Sequence, residues 1–502
     1  MRVSAYNNPG SVKNGGNMEN SRSHGALALL VYLTMLTLAG CGGGSSSSPS
    51  PSSTTYMVGG AVSGLGSNES VTLVNNGGGA LSVGANGVFS FSTSLIPGSA
   101  YAVTVQSHTP GVSCSVSNGS GTLGSSNVTS VVVSCAAGTE SILYSFTGGA
   151  TDGADPVAGV IVDNAGKLYG TTFSGGSNNY GTVFEISAAG IESVLHSFTG
   201  YSTNLADAGQ PMADLIMDSA GNLYGTTASG GSGNNGTVFK ISASGTESVP
   251  YSFAGHPADG QGPEGNLIMD SAGNFYGTTE LGGANNSGTV FKISASGTES
   301  VLHSFAGGTT DGAAPVAGLI MDSAGNLYGT TPSGGAYDAG TVFKVSASGA
   351  ESVLYSFAGG ATDGADSLAG LIMDSAGNLY GTTANGGPNG AGTVFRISAT
   401  GTESILHFFA VGTTDGVAPI AGLIVDSAGN LYGTTQIGGA SGSGTVFKIS
   451  AVGTESTLYS FAGRTTDGMG PAAGLVIDSA GNLYGTTGSG GPNNDGTVFK
   501  IN

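Results

Sequence analysis

One motif recurs seven times in the last 365 residues of the chain, and its fixed spacing constrains the fold more than any other feature. The tyrosine of its LYGTT segment recurs after 55 residues and then five times after 52 residues, at Tyr169, Tyr224, Tyr276, Tyr328, Tyr380, Tyr432 and Tyr484. A period in this range is typical of repeated supersecondary units. The repeat therefore predicts an architecture, although it does not by itself indicate an activity.

Each repeat contains four predicted strands and no predicted helix. In the fourth copy they span residues 318–322, 326–331, 340–346 and 351–357, all rich in β-branched and aromatic residues and bounded by turn residues. Four strands in 52 residues is the pattern of a propeller blade. Leucine-rich and helical repeats would need a helix, and the coils of a parallel β-helix are shorter and contain no four-stranded meander.

The repeat array begins and ends at different positions within the repeat. The array begins with a fourth-strand motif at residues 140–146 and ends with a third-strand motif at residues 496–502. This offset predicts that the first segment supplies the outer strand of the last blade, which leaves no free sheet edge. We see no polar caps of the kind that an open solenoid needs. The sequence therefore predicts an all-β chain whose residues 138–502 form a seven-bladed β-propeller, ring-closed by its N-terminal strand.

The N-terminus has the features of an export signal. Residues 26–38 form an apolar run that is too short to span a bilayer but suits a signal peptide. The run leads into an LAGC segment that resembles the bacterial lipobox, in which the cysteine is diacylated, so we predict lipidation of Cys41. The predicted signal peptide covers residues 1–41, with Met18 as the expected true start, and residues 42–55 are a Gly/Ser/Pro-rich flexible linker.

The lipidation motif also predicts a location. Gly42 follows the cysteine in place of the aspartate that, by resemblance to enterobacterial lipoproteins, retains a protein in the inner membrane. We therefore expect an extracytoplasmic monomer that is held at the bacterial outer membrane or cell surface by its lipid anchor.

Residues 56–136 alternate apolar and polar side chains at a period of two, in about seven short segments. This pattern predicts a small β-sandwich, and the segment resembles the immunoglobulin-like modules that follow the lipobox in many bacterial lipoproteins. Cys114 and Cys135 are predicted to form its one disulfide, as expected in an oxidising compartment. Metal binding by this pair is less favoured because no histidine motif lies nearby.

The charge of the chain is acidic and evenly distributed. The net charge of −20 argues against a nucleic-acid partner, because phosphates require lysine and arginine. Three repeated columns supply 21 of the 31 acidic residues: an Asp in MDSAGN, an Asp in TDG and a Glu that begins the fourth strand. We interpret the MDSAGN aspartate as a turn residue. We expect the glutamate to face a cation across the hairpin, as in the pair Lys240 and Glu247.

The TDG column has two interpretations. Each aspartate could be a turn residue, or the seven could form an acidic rim that attracts a cation or a basic partner. The candidate binding face consists of these aspartates together with Tyr180 and Tyr337 of the variable loops: Asp152, Asp207, Asp259, Asp311, Asp363, Asp415 and Asp467. A Ca²⁺ ion is the one cofactor that such a rim suggests, and no metal site is predicted. His196, His303 and His407 lie on separate blades, which we interpret as packing.

Near-identical blades offer little of the asymmetry that catalysis needs, so no catalytic residue is predicted. The loops between the second and third strands differ most between copies and resemble recognition surfaces. We therefore predict an anchored propeller that binds a glycan or an envelope protein, in an adhesion, scavenging or scaffold role. The alternative is a propeller enzyme, such as a lyase or lactonase, that acts on an extracytoplasmic carbohydrate or lactone.

The LYGTT…GG…GTVFK…LYSF…DG pattern resembles the GloVer (Gloeo–Verruco) tandem repeat family over residues 138–502. This resemblance implies a bacterial exported protein with a membrane or wall anchor, and a propeller without a particular activity. The first repeat departs from the pattern at Asn164, Lys167 and Glu185, which fits a terminal repeat.

Overall fold

The computed structural model describes residues 54–66, 69–200, 207–412 and 415–502. In these ranges the regular structure is β-strand throughout, apart from one short 3-10 helix at Arg464–Thr466. Within them no helix has the length and apolar character needed to cross a membrane. The predicted signal peptide, Cys41 and the linker as far as residue 53 lie outside the described residues.

The first eight strands form two four-stranded sheets that enclose one core. They are β1 (Val58–Ser63), β2 (Val71–Asn75), β3 (Gly78–Val83), β4 (Gly87–Ser90), β5 (Ala100–His108), β6 (Val112–Ser117), β7 (Ser120–Thr122) and β8 (Val128–Ala137). The sheet orders are β4-β1-β8-β6 and β3-β2-β5-β7. Alternation is clearest in β8, where Val131 and Val133 are fully buried while Val132 is exposed. Cys114 and Cys135 lie opposite each other on β6 and β8 and form a disulfide.

The seven repeats form seven antiparallel sheets, each with four strands paired in a row. The first strands are Ile161–Val162, Ile216–Met217, Ile268–Met269, Ile320–Met321, Ile372–Met373, Ile424–Val425 and Val476–Ile477. The second are Leu168–Thr172, Leu223–Gly230, Phe275–Thr279, Leu327–Thr331, Leu379–Thr383, Leu431–Thr435 and Leu483–Thr487. The third are Thr182–Ile186, Thr237–Ile241, Thr289–Ile293, Thr341–Val345, Thr393–Ile397, Thr445–Ile449 and Thr497–Ile501. The fourth are Glu192–Ser197, Glu247–Ser252, Glu299–Ser304, Glu351–Ser356, Glu403–Phe408, Glu455–Ser460 and, in the seventh sheet, β9 (Glu140–Ser145).

A short segment ahead of each first strand pairs with the region after the LYGTT segment of the same repeat. The paired segments are Gly153–Ala154 with Ser174–Gly175, Gly260–Gln261 with Leu281–Gly282, Gly312–Ala313 with Ser333–Gly334, Gly364–Ala365 with Asn385–Gly386, Gly416–Val417 with Ile437–Gly438, and Gly468–Met469 with Ser489–Gly490. In the second sheet, Ala208–Pro211 pairs with the long second strand itself. The first strands are shorter than predicted: in the fourth copy the strand is Ile320–Met321, whereas the prediction covered residues 318–322.

Phenylalanines fill the space between neighbouring sheets. Phe357 directly follows the fourth strand of the fourth sheet and packs edge-to-face against Phe395 of the fifth sheet, with ring centroids 5.0 Å apart. Both rings are fully buried, and equivalent pairs occur at the other contacts between sheets, including Phe146 with Phe184 and Phe461 with Phe499. Burying a side chain of this size stabilises a fold by about 1.5–3 kcal/mol. Both phenylalanine columns therefore pack between neighbouring sheets.

The first and last sheets contact each other as the other neighbours do. Strand β9 pairs with Thr497–Ile501, with Glu140 opposite Ile501. In addition, the first threonine of each GTT segment donates a hydrogen bond to a backbone carbonyl of the next sheet. These bonds join Thr171 to Ala213, Thr226 to Gly265, Thr278 to Ala317, Thr330 to Ala369, Thr382 to Ala421, Thr434 to Ala473, and Thr486 to Ala158.

The sandwich contacts the DSAGN turn of the seventh sheet and the fourth strand of the sixth sheet. The backbone N–H of His108 donates to the carbonyl oxygen of Ala480 at 3.2 Å, and Gly111 lies against Leu458. In an antiparallel sheet, the turn between the first two strands and the loop between the next two emerge at opposite ends. The sandwich therefore occupies the turn face, and the variable loops lie on the other face, which we call the loop face.

Candidate functional site

The MDSAGN aspartates are turn residues, as predicted. In the fourth sheet, Oδ1 of Asp322 accepts hydrogen bonds from the backbone N–H groups of Ala324 and Asn326, both at 2.9 Å. Its Oδ2 accepts from Asn326 Nδ2 at 2.7 Å and from the Tyr328 hydroxyl at 3.0 Å. Burial alone would raise the pKa of Asp322, but these hydrogen bonds outweigh it and lower the pKa.

The TDG aspartates do not form an exposed acidic rim, so this interpretation of the sequence is wrong. Asp152, Asp207, Asp259, Asp311, Asp363 and Asp467 are buried, and the side chain of Asp415 is only 15% exposed. Asp363 shows the reason. Its Oδ1 accepts from Gly364 N at 2.6 Å, while its Oδ2 accepts from Ala358 N at 2.6 Å and from the Tyr355 hydroxyl at 3.0 Å. These bonds draw the carboxylate in between the sheets.

The predicted pairing of lysine with glutamate across the third hairpin is also wrong. The register places Ile241 opposite Glu247 and Lys240 opposite Ser248. Because side chains alternate along a strand, this offset of one residue turns the lysine and the glutamate to opposite faces of the sheet. Lys240 Nζ instead lies 5.3 Å from the ring centroid of Tyr224.

Three columns that are distant in sequence converge at each contact between neighbouring sheets. A His or Tyr from one fourth strand, the TDG aspartate after it and the first Glu of the next fourth strand form what we call a junction cluster. Three clusters contain histidine: His196–Asp207–Glu247, His303–Asp311–Glu351 and His407–Asp415–Glu455. Four contain tyrosine: Tyr144–Asp152–Glu192, Tyr251–Asp259–Glu299, Tyr355–Asp363–Glu403 and Tyr459–Asp467–Glu140.

The histidine clusters are compact. His303 Nε2 lies 3.2 Å from Asp311 Oδ2, and His407 Nε2 lies 3.3 Å from Asp415 Oδ2. In each cluster one potential ligand atom from each residue lies within 4.8 Å of the other two. The histidines do lie on separate sheets, as the sequence indicated, but each meets carboxylates from two other segments. These partners were not predicted from the sequence, although all three columns share the period of the repeat.

The glutamates of the junction clusters lie in surroundings that disfavour their ionised form. The Oε1 atom of each is buried and has no hydrogen-bond partner among the described residues: Glu140, Glu192, Glu247, Glu299, Glu351, Glu403 and Glu455. Burial, followed by the charge of the adjacent aspartate, raises the pKa of each glutamate to about 7. Each junction can therefore gain or lose a proton near neutral pH.

The loop face carries one exposed aromatic side chain from the predicted binding set. Tyr337 is 67% exposed, whereas the ring of Tyr180 is half-buried and lies against Gly200 and Gly209. Only Tyr337 of these two presents most of its ring to a ligand.

Arg464 is a candidate binding residue that the sequence analysis missed. It lines a groove of about 510 Å³ on the loop face, together with Ser441, Ser443, Gly463, Thr466 and Met469. Its φ of 72° lies in the left-handed region. Four other copies have glycine at this repeat position, and the first three of them also have positive φ: Gly149, Gly308, Gly360 and Gly412. Strain of this kind clusters at functional sites. The replacement of a repeated glycine by arginine was the available signal.

Asp214 and Asn266 break the symmetry of the innermost strands. They occupy a position that is glycine in the other five repeats, and both are buried. Asn266 Nδ2 donates to Asp214 Oδ2 at 2.7 Å, and Gly159 N donates to Asp214 Oδ1 at 2.6 Å. These bonds link the first three sheets, so the sequence change at this position has a packing role.

A profile of the Gloeobacter/Verrucomicrobia repeat matches residues 100–331 and 316–502. The chain belongs to the Gloeobacter/Verrucomicrobia repeat family. The resemblance drawn from the LYGTT and GTVF motifs is thereby confirmed. No curated protein matches this member of the family in a sequence comparison.

Several solved structures resemble the family member at low identity. The BP39L lectin from Burkholderia pseudomallei is 9% identical with a TM-score of 0.43, over 71% of this chain and 96% of the lectin. The extracellular domain of a proposed hybrid two-component system from B. thetaiotaomicron is 12% identical with a TM-score of 0.43, over 76% of this chain and 43% of that one. Puromycin hydrolase is 11% identical with a TM-score of 0.43, over 66% of this chain and 49% of the hydrolase. The chain thus spans less than half of the length of the last two proteins. Likenesses of this size carry no functional argument.

Proposed function

We propose that this chain is a lipid-anchored, extracytoplasmic binding protein built on a closed seven-bladed propeller. In this proposal the seven sheets are the blades, and β9 is the outer strand of the last one. The pairing of β9 with Thr497–Ile501 supports closure, as does the hydrogen bond from Thr486 to Ala158. Closure removes the free edges that would otherwise pair with other chains.

The sandwich acts as a stalk in this proposal. Strand β1 runs parallel to β8, and the end of β8 leads directly into β9. The start of β1 therefore lies at the end of the sandwich that is remote from the repeats, about 25–30 Å away at 3.3 Å per residue. The predicted linker and Cys41 attach at that remote end. The turn face consequently looks toward the membrane, and the loop face looks away from it.

One observation carries the binding role: sequence difference, exposure and backbone strain coincide on the loop face. The strands of the seven sheets are nearly identical, whereas the loops between the second and third strands differ in every copy. Tyr337 is exposed there, and Arg464 holds a left-handed conformation beside a groove. A surface that served stability alone would favour glycine at the position of Arg464. We therefore assign ligand binding to the loop face, with a glycan as the first ligand class to test.

The lyase or lactonase alternative has less support. Catalysis of that kind needs an acid, a base or a nucleophile that converge in one accessible pocket. The titratable clusters of the described residues are partly buried between sheets and repeat seven times. The residues that line the Arg464 groove include neither histidine nor a carboxylate in the part of the chain that the structure describes.

Binding of the full chain, held in detergent, to a glycan array tests this proposal. We expect saturable binding. It should weaken in a variant whose loop Ala336–Tyr337–Asp338 is replaced by the Pro–Asn–Gly of the next repeat. The exchange preserves loop length and keeps a left-handed residue at the third position, since Asp338 and Gly390 both have positive φ. Ser348→Ala, in a turn on the opposite face, is the matched control.

The outcomes separate the possible ligands. Loss of binding in the loop variant alone supports the loop face. Binding that survives both the loop exchange and Arg464→Gly would contradict the assigned face. A flat array would exclude glycans of the array and leave an envelope protein, which crosslinking through Tyr337 replaced by a photoreactive residue would identify.

A further inference from the structure

Three of the seven junction clusters bring together one imidazole and two carboxylates. In each, the three side chains come from different segments, and their potential ligand atoms lie within 4.8 Å of one another. Neutral imidazole nitrogen and carboxylate oxygen are ligands of Zn²⁺ and of other divalent transition metals, and three protein ligands leave a fourth position for water. The clusters are His196–Asp207–Glu247, His303–Asp311–Glu351 and His407–Asp415–Glu455.

A second observation points to a missing partner at each of these clusters. Glu247, Glu351 and Glu455 each bury an Oε1 atom that accepts no hydrogen bond from the described residues, and His196 Nε2 is buried in the same way. A buried polar atom without a partner costs about 1–3 kcal/mol, so native structures almost always satisfy it with protein, water or an ion. At the other two clusters the histidine Nε2 lies beside the aspartate, and in all three clusters one potential ligand atom from each residue lies within 4.8 Å of the others.

The surrounding residues hold the ligands in place. The ring of His303 packs edge-to-face against Phe305, with centroids 4.7 Å apart. Asp311 is oriented by backbone N–H groups, with Ala306 N donating to Oδ2 and Gly312 N to Oδ1, both at 2.7 Å. Oδ1 of Asp311 keeps a second lone pair for a metal, whereas Oδ2 also contacts His303 Nε2 at 3.2 Å and becomes available once that nitrogen loses its proton. Fixing the ligands through such outer contacts is a common feature of metal sites.

We propose that each of the three histidine junctions binds one divalent transition-metal ion, with Zn²⁺ as the first candidate. The ligands are His Nε2, an Asp oxygen and the Glu Oε1, and the ion joins two neighbouring sheets. Binding requires the ionised glutamate and the Nε2-deprotonated imidazole, so it releases protons to solvent. The four tyrosine junctions do not bind, because tyrosine supplies no nitrogen and its hydroxyl donates to the aspartate, as Tyr355 does to Asp363 at 3.0 Å. This inference does not depend on the proposed ligand-binding function.

The repeat itself supplies matched variants for the test. His196→Tyr, His303→Tyr and His407→Tyr each install the residue that four other junctions already contain, so these variants should fold. Tyr355→His does the reverse and creates a fourth cluster with Asp363 and Glu403. The full chain, in detergent and freed of metal with EDTA, is titrated with ZnCl₂ in a calorimeter. Co²⁺ titration with visible absorption reports the nitrogen–oxygen coordination independently.

We expect about three equivalents of zinc in the native chain, about two in each single His→Tyr variant, none at these sites in the triple variant and about four after Tyr355→His. Zinc should also raise the melting temperature of the native chain but not that of the triple variant. A native stoichiometry that the triple variant retains would overturn the proposal. So would the absence of zinc binding by a folded native chain, which would leave buried protons as the partners of the glutamates.

Discussion

Thr486 donates a 2.8 Å hydrogen bond to the carbonyl oxygen of Ala158, which precedes it by 328 residues. Both groups are buried. Equivalent threonines make the same bond at each of the other six contacts between neighbouring sheets, as Thr330 does to Ala369 at 2.8 Å. The contact between the last and the first sheet therefore uses the same chemistry as the contacts between sheets that follow each other in the chain.

This equivalence gives a direct test of ring closure. Thr486→Val and Thr330→Val should lower the melting temperature equally, because each leaves one buried carbonyl without a donor, at a cost of about 1–3 kcal/mol. Differential scanning calorimetry of the two variants measures the effect. If Thr330→Val destabilises the chain and Thr486→Val does not, the first and last sheets do not meet in solution.

Phe357→Ala should be strongly destabilising. The side chain is fully buried and contacts Phe395 of the next sheet, so its loss leaves a cavity between two sheets. We expect a loss of about 3–5 kcal/mol in the free energy of unfolding, measured by urea denaturation. Tyr337→Ala is the control: it removes an aromatic ring that is 67% exposed and should leave the urea midpoint unchanged. Equal effects of the two changes would contradict the packing described here.

Glu299→Gln should change how stability depends on pH. Burial, followed by the charge of Asp259, raises the pKa of Glu299 from 4.5 to about 7 in the folded chain. A raised pKa means that the folded state holds the proton more tightly, so its contribution to stability is complete below pH 4.5 and is lost as the pH rises through 7. Glutamine resembles the protonated form at all pH values. The melting temperature of the variant minus that of the native chain should therefore rise between pH 5 and pH 8, roughly the window of the cited shift.

The measurement should be made in EDTA, so that metal does not contribute. Ser300→Ala changes the adjacent exposed position of the same strand and should not alter the pH profile. If the difference in melting temperature between Glu299→Gln and the native chain stays constant from pH 5 to pH 8, this carboxyl titrates alike in the folded and unfolded states.

Loss of the disulfide should destabilise the sandwich and leave the repeats unaffected. Cys114 and Cys135 close a loop with a sequence separation of 21 residues, and removing such a cross-link costs about 3 kcal/mol in the chain-entropy account. Cys135→Ser should therefore lower the unfolding transition of residues 54–137 in a calorimetric scan. Dithiothreitol should reproduce this shift in the native chain and add nothing in the variant; a shift that appears in both would have another origin.

Arg464→Gly should increase stability. The residue has a φ of 72°, which costs a side chain with a Cβ about 1 kcal/mol relative to glycine. We expect a higher melting temperature together with weaker ligand binding. Gly360→Ala is the inverse control, because Gly360 has a φ of 73° and a Cβ there would meet no atom within 4 Å. The loss of stability expected for Gly360→Ala reports the cost of the backbone conformation alone. If Arg464→Gly is stabilised but binds ligand unchanged, Arg464 is not part of the proposed site.

The sequence was most informative where each repeat contains the complete interaction. The Asp322 turn closes within six residues, so the MDSAGN pattern alone identified the aspartate as a turn residue. The two phenylalanine columns were also recognisable, because fully apolar positions that recur every 52 residues have few alternatives to burial between sheets. Strand positions followed from β-branched and aromatic runs between turn residues.

The sequence was least informative where the interaction crosses between repeats. The Lys240–Glu247 prediction failed because a shift of one residue in hairpin register, which composition does not encode, reverses the face of every side chain. The acidic rim was inferred from charge and loop position, but backbone N–H donors and Tyr355 bury the carboxylate of Asp363. Membership of the repeat family and the number of repeats needed no coordinates.

The amino-acid sequence by itself determined that the chain is all-β, that its unit has four strands and that seven units follow one another, because periodic local patterns specify local structure. Only the tertiary structure decided which histidine or tyrosine, aspartate and glutamate meet at each of the seven junctions. His303, Asp311 and Glu351 span 49 positions of the chain, yet they meet because neighbouring sheets pack face to face and place the start of one fourth strand beside the end of another. The environment of a side chain depends on such packing, and a linear pattern specifies it only once the register and the angle between sheets are fixed.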